Sequence, residues 1–208
     1  PTLLRRQRQM CIRDSYVNGN YVIMATKMGQ VKKTSLEQYS RPRSNGINAI
    51  TVKDGDELLE AKLTNGNSQI MLAVKSGKAI RFEENKTRPM GRNASGVRGI
   101  SLKDNKDEVV GMISVNDMDA NILVVSENGY GKRSSLEDYR LTNRGGKGVK
   151  TISITEKTGK LVTLKSVSDN DDLMIINKSG IAIRMQVEDL RVMGRATQGV
   201  KVISIKEG

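Results

Sequence analysis

The chain has 208 residues, of which 35 are Lys or Arg and 23 Asp or Glu, for a formal net charge of +12 without one histidine. That length allows a substantial core, while one cysteine and six aromatic residues exclude a disulfide framework and an aromatic platform for stacking single-stranded bases. No apolar run approaches the roughly 20 residues of a membrane span and no basic amphipathic helix is evident, so a field of this sign favours nucleic acid over a lipid surface.

Residues 1–15, PTLLRRQRQMCIRDS, match nothing that follows and resemble a translated sequencing adapter. They are expected to be a non-native or disordered leader and are set aside. Removing four Arg and one Asp takes the net charge from +12 to +9, and Cys11 goes with them. A domain without thiols has no Cys-based metal site and suits a reducing, cytoplasmic location.

From Tyr16 onward one unit recurs four times. It runs from an apolar strand through a tight turn ending in Gly to a basic strand and a Gly-rich basic loop. The first copy (16–63) opens with YVIMAT, turns at Met28-Gly29, returns through Lys32 and Lys33, and carries the loop RPRSNG with Arg41 and Arg43. The second (64–115) has QIMLAV, Ser76-Gly77, Lys78 and Arg81, and the loop MGRNASG preceded by Arg88 and containing Arg92. The third (116–167) has NILVVS, Asn128-Gly129, Lys132 and Arg133, then Arg140 and the loop TNRGGKG with Arg144 and Lys147. The fourth (168–208) has DLMIIN, Ser179-Gly180, Arg184, Arg191 and the loop MGRATQG with Arg195.

The turn glycines Gly29, Gly77, Gly129 and Gly180 are 48, 52 and 51 residues apart, a blade-sized period. Short apolar runs rich in β-branched residues read as strands buried on both faces, and glycine supplies the positive φ that tight hairpins require. A third strand follows each loop (INAITV, VRGISL, VKTISI, VKVISI) and a fourth follows three of them (ELLEAKL, EVVGMISV, KLVTLKSV), so fifteen strands are predicted. No stretch sustains a helical period. The predicted fold is all-β, a propeller-like array of about four four-stranded blades, none large enough to stand alone.

The loops are the candidate site. Arg92, Arg144 and Arg195 stand four residues before a closing glycine, and Arg88, Arg140 and Arg191 eight before it. Glycines let the backbone approach a phosphate while Arg and Lys neutralise it. Gly145, Gly146 and Gly148 are candidates for such an approach, although Gly148, like Gly46, Gly96 and Gly199, also suits a blade-corner turn. The expected DNA contacts are Lys32, Lys33, Arg41, Arg43, Lys78, Arg81, Arg88, Arg92, Lys132, Arg133, Arg140, Arg144, Lys147, Arg184, Arg191 and Arg195. With few aromatics, duplex gripped by its phosphates is the fitting ligand.

Catalysis within the chain is not expected. There is no GxxxxGK[ST] phosphate loop and no Ser with an evident base. The carboxylate pairs Glu83-Glu84, Asp171-Asp172 and Asp54/Asp56 read as solvated turns, and Tyr39 and Tyr139, at equivalent positions, read as structural.

The stretches ATKMGQVKKTSLEQYSRPRSNG, KSGKAIRFEENKTRPMGRNASGVRGISL, ENGYGKRSSLEDYRLTNRGGKGVKTISITEKTGKLV and SGIAIRMQVEDLRVMGRATQGV resemble the C-terminal β-pinwheel of the DNA gyrase A subunit. The likeness runs from about Tyr16 to Lys206 and is similar to the third to sixth of six blades, which implies a fragment. The family's first-blade box, QRRGGKG, has only a partial counterpart in TNRGGKG, where Thr142 and Asn143 replace Gln and Arg.

The resemblance implies duplex-DNA wrapping around a basic rim. It also implies an upstream catalytic domain bearing the nucleophilic tyrosine, a gyrase B partner, and ATP and Mg2+ on other domains, with no cofactor here. A cytoplasmic, nucleoid-associated bacterial protein follows from the same likeness. Two alternatives stand beside it: the matching domain of the topoisomerase IV A-type subunit, and a propeller-like protein-interaction scaffold.

Overall fold

The computed structural model describes residues 19–41 and 43–204, so the expectation for the leader at 1–15 lies outside the described residues. Fourteen strands are present among the described residues, arranged in three four-stranded sheets and one two-stranded sheet, all antiparallel. Each sheet is built on a hairpin: β1 (Tyr21–Thr26) with β2 (Gln30–Ser35), β4 (Gln69–Val74) with β5 (Lys78–Glu83), β8 (Asn121–Ser126) with β9 (Tyr130–Ser135), and β12 (Asp172–Ile176) with β13 (Ala182–Gln186).

The hairpins turn where the sequence predicts. Gly29, Gly77, Gly129 and Gly180 have φ between 77° and 82°, and the amide of Gly29 donates to the Thr26 carbonyl at 3.0 Å. The fourth strands β3 (Leu58–Thr64), β7 (Val109–Val115) and β11 (Leu161–Val167) then pair with the first strand of their own hairpin. One-turn 3-10 helices at Leu36–Tyr39, Glu84–Lys86 and Leu136–Asp138 follow β2, β5 and β9.

The outer strand of each complete sheet comes from the next repeat. The two-residue strands β6 (Val97–Arg98), β10 (Val149–Lys150) and β14 (Val200–Lys201) pair with β2, β5 and β9 respectively. Adjoining repeats therefore interlock. This exchange also corrects the predicted count of fifteen: INAITV is not a strand, since the equivalent segments pair with the second strand of the preceding repeat and no such strand faces INAITV among the described residues.

The core is divided among the seams between sheets. Ile23, Ala25 and Val31 pack with Ile70, Leu72, Ile80 and Phe82 at the first, and Met71, Ala73 and Ile113 pack with Ile122, Val124, Leu136 and Tyr139 at the second. Leu123, Val125, Val187, Leu190 and Val202 fill the third. The central strands β4 and β8 are buried on both faces, as continuous apolar runs should be, whereas β12 alternates between exposed and half-buried.

Candidate nucleic-acid interface

The Gly-rich loops connect consecutive sheets. The second, third and fourth loops each leave the turn that ends their own hairpin, a 3-10 turn in the second and third, touch the preceding sheet through a parallel bridge (Lys33 with Pro89, Arg81 with Leu141, Arg133 with Val192), and end in that sheet's outer strand. The edge of each four-stranded sheet thus receives a basic loop from the repeat that follows. Closure needs glycine: a Cβ on Gly96 would lie 2.6 Å from the Val31 carbonyl oxygen, and one on Gly199 would lie 2.5 Å from that of Gly131.

The loop cations predicted as contacts lie at the surface. Arg41, Arg43, Arg88, Arg140, Lys147 and Arg191 are exposed, and Arg92, Arg144 and Arg195 are half-exposed. Two of the latter are held in place: Arg144 donates to the carbonyls of Lys86 (3.0 Å) and Arg98 (3.1 Å), and Arg195 to that of Lys150 (2.9 Å). Each thus bonds to the edge strand beside it while its guanidinium remains partly in solvent. Gly145 (φ +83°) and Gly146 leave room at the crest of the third loop, whereas Gly148 packs against Ala79.

Five predicted contacts are corrected by burial. Lys33 bonds Glu84 (3.1 Å) and stands 4.2 Å from the Tyr21 ring centroid. Arg81 donates to Gln69 Oε1 (2.7 Å) and to the carbonyls of Leu136 (2.9 Å) and Tyr139 (3.0 Å) in the next repeat. Arg133 likewise reaches the Leu190 and Glu188 carbonyls and the Asp169 carboxylate. These three fasten one sheet to the next. Lys32 and Lys132, with no exposed surface, donate to loop carbonyls from below: Lys32 to Ala49 (2.5 Å) and Arg92, Lys132 to Gly194 (2.6 Å). Burial pushes both ammonium groups down to about 8, aided by the nearby Arg92 in one case and Arg195 in the other.

Arg184 holds the same repeat position as these fasteners, but no following sheet engages it among the described residues. It pairs on the surface with Asp172 at 2.5 Å. Glu84, expected in a solvated turn, is also corrected: it is fully buried and accepts from Thr64 (2.7 Å), the Ser68 amide (3.2 Å) and Lys33. Tyr139 is buried with its hydroxyl 2.5 Å from that of Thr151, in keeping with the structural reading.

Sequence reasoning missed one basic column. Arg98, Lys150 and Lys201 sit two residues after successive closing glycines, exposed at the sheet edges. Lys150 lies directly across the ladder from Lys78, a like-charge pairing that folding alone disfavours. Beside it, a cavity of about 500 Å³ at the second seam is lined by Lys75, Lys103, Lys106, Lys150 and Lys160 together with Asp104 and Asp107. The column was visible in the repeat alignment, but its residues read as part of an ordinary strand.

Comparison with known proteins decides the family. The family model described as "DNA gyrase C-terminal domain, beta-propeller" matches residues 20–65, 69–116, 120–168 and 171–208, one match per repeat. The chain belongs to the DNA gyrase C-terminal domain family. Among curated relatives of this gyrase domain, the DNA gyrase A subunit of Chlamydia muridarum is 46% identical over 194 residues, covering 93% of this chain and 23% of that protein. Its counterpart from Staphylococcus epidermidis is 43% identical over 200 residues, covering 96% and 22%. The chain therefore spans about a quarter of the length of the curated relatives it matches.

Solved structures agree on the fold. The C-terminal domain of DNA topoisomerase IV superimposes with a TM-score of 0.85 at 24% identity, over 91% of this chain and 59% of that one. The DNA gyrase A C-terminal domain gives 0.82 at 24% identity, over 92% and 64%. No described helix of this gyrase-family chain is long and apolar enough to cross a membrane.

Proposed function

We propose that this gyrase-family domain binds duplex DNA along its loop-bearing edges and bends it. In that role it serves the gyrase A protein, whose partner, gyrase B, drives negative supercoiling with ATP. The observation that carries the reading is the recurrence of Arg88, Arg140 and Arg191, and of Arg92, Arg144 and Arg195, on loops that join consecutive sheets in the same way. A charge column repeated at blade spacing fits a phosphate backbone that passes several blades, and the Arg98, Lys150 and Lys201 column lengthens it. The proposed contacts are Arg41, Arg43, Lys78, Arg88, Arg92, Arg140, Arg144, Lys147, Arg184, Arg191 and Arg195, with Gly145 and Gly146 admitting the backbone.

Bending 20 to 30 base pairs by 40 to 90° costs on the order of 1 to 6 kcal/mol, so many phosphate contacts must offset it. The test is binding of the chain to random-sequence duplexes of about 20 and 100 base pairs across a salt series; each neutralised phosphate should add about 0.9 to the log–log slope. A steep slope with preference for the long duplex is the expected result. Equal binding per site on both lengths would refute bending, and salt-insensitive or absent binding would refute the DNA reading and restore the protein scaffold.

A further inference from the structure

The loops do not all rest on the same support. The repeat position filled by Lys32 and Lys132 in β2 and β9 is filled by Ile80 in β5 and Ile183 in β13. Because outer strands are exchanged, the loop above each of these residues belongs to the next repeat. Both buried lysines therefore lie beneath loops of one sequence type, MGRNASG and MGRATQG, while Ile80 lies beneath TNRGGKG. Lysine beneath the MGR loops and isoleucine beneath the third form a matched set.

Neither ammonium has a carboxylate within salt-bridge distance among the described residues; both are held by carbonyl oxygens of the loops and adjoining chain. The charged groups facing Lys32 reduce to Arg92, with the Tyr39 hydroxyl sharing the Ala49 carbonyl at 3.4 Å. Those facing Lys132 are Arg195, which repels it, and Asp138, which attracts it from beyond contact. A buried cation without a contacting anion is a costly arrangement for a fold to retain, and Ile80 beneath the third loop shows that the position can be filled without a charge. Loop residues beside the two ammonium groups, Asn93 and Gly194, are exposed, so an anion can approach from the solvent side of the loop.

We propose that Lys32 and Lys132 are positioning residues of the DNA-binding edge: each ammonium holds an MGR loop from beneath and supplies through it a positive charge that a DNA phosphate above the loop completes. This rests on the DNA reading for the phosphate and on the geometry alone for the loop. Since burial pushes both groups down to about 8, the charge is present near pH 7 and fades above that value. A phosphate overhead favours the charged form, so binding takes up protons and affinity declines as pH rises through this window. The neutral amine still donates to the carbonyls, so loss of charge weakens DNA binding without releasing the loops.

The experiment compares the 208-residue chain with its Lys32→Ile/Lys132→Ile variant, using isoleucine because the fold already accepts it at 80 and 183. The first readout is amide hydrogen exchange without DNA. Loops 90–96 and 193–199 should exchange faster in the variant while loop 142–148 is unchanged. The second is affinity for a random-sequence duplex: the variant should bind about tenfold more weakly near pH 7, and the gap should narrow by about pH 9.5, where only the loss of loop support remains.

Unchanged exchange in both MGR loops, or an affinity gap that is absent or does not narrow with pH, would overturn the proposal. If the unmodified chain leaves duplex unbound while the loops respond as stated, the DNA reading fails and the positioning role stands. Should the double variant not fold, the single variants decide, since Lys32→Ile should loosen only 90–96 and Lys132→Ile only 193–199.

Discussion

Arg81 and Arg140 are both basic residues at a fixed offset within the repeat, yet they belong to different parts of the molecule. Arg81 is buried and donates to three oxygens, two of them carbonyls of the next repeat, so Arg81→Ala strands acceptors in a dry seam. A loss of about 2 to 4 kcal/mol in denaturant unfolding is expected. Arg140 is exposed and without a carboxylate partner among the described residues, so Arg140→Ala should leave stability within about 0.5 kcal/mol. In duplex titrations the Arg140 variant should lower the salt slope by about one. Charge and spacing are legible in sequence, but they do not distinguish a cation that fastens two sheets from one that meets solvent. Arg184 illustrates the ambiguity, occupying the fastener position yet pairing at the surface with Asp172.

Among the elements, the hairpins were the most legible, because each is local and its glycine has a positive φ that other residues rarely adopt. The outer strands were the least legible. INAITV and VRGISL look alike, but only the second finds a partner, in β2 of the repeat before it. Pairing across repeats leaves no trace in the pattern of a single strand. Closure of these short ladders depends on the loop glycine. At Gly199, with φ +80°, an added Cβ would meet the Gly131 carbonyl at 2.5 Å, whereas at Gly194 it would meet nothing within 4 Å. Gly199→Ala should lower the melting temperature by several degrees and expose the β9–β14 amides to exchange, while Gly194→Ala should change neither beyond about 0.5 kcal/mol.

For the whole molecule, the two buried lysines predict opposite responses to one variable. Their pKa is lower in the folded chain, about 8, than the ordinary 10.5, so between those values the unfolded chain binds more protons and stability rises with pH. Below about 8 the full penalty of the buried charge remains, on the order of 3 kcal/mol per lysine. Denaturant unfolding from about pH 7 to 10 should show this rise in the native chain and lose it in the variant with isoleucine at both positions. The fold is thus more stable where the proposed DNA affinity is lower.

The exchange of outer strands also determines how the molecule would carry force. Loop 193–199 is anchored at one end to the fourth sheet through β13 and at the other to the third through β14, and the two earlier loops span their sheets in the same way. A pull on any of these loops is divided between two sheets whose apolar seam lies between them. Stiff DNA straightening against the edge would therefore load neighbouring blades in tandem, tightening the connection between them instead of peeling one blade away alone.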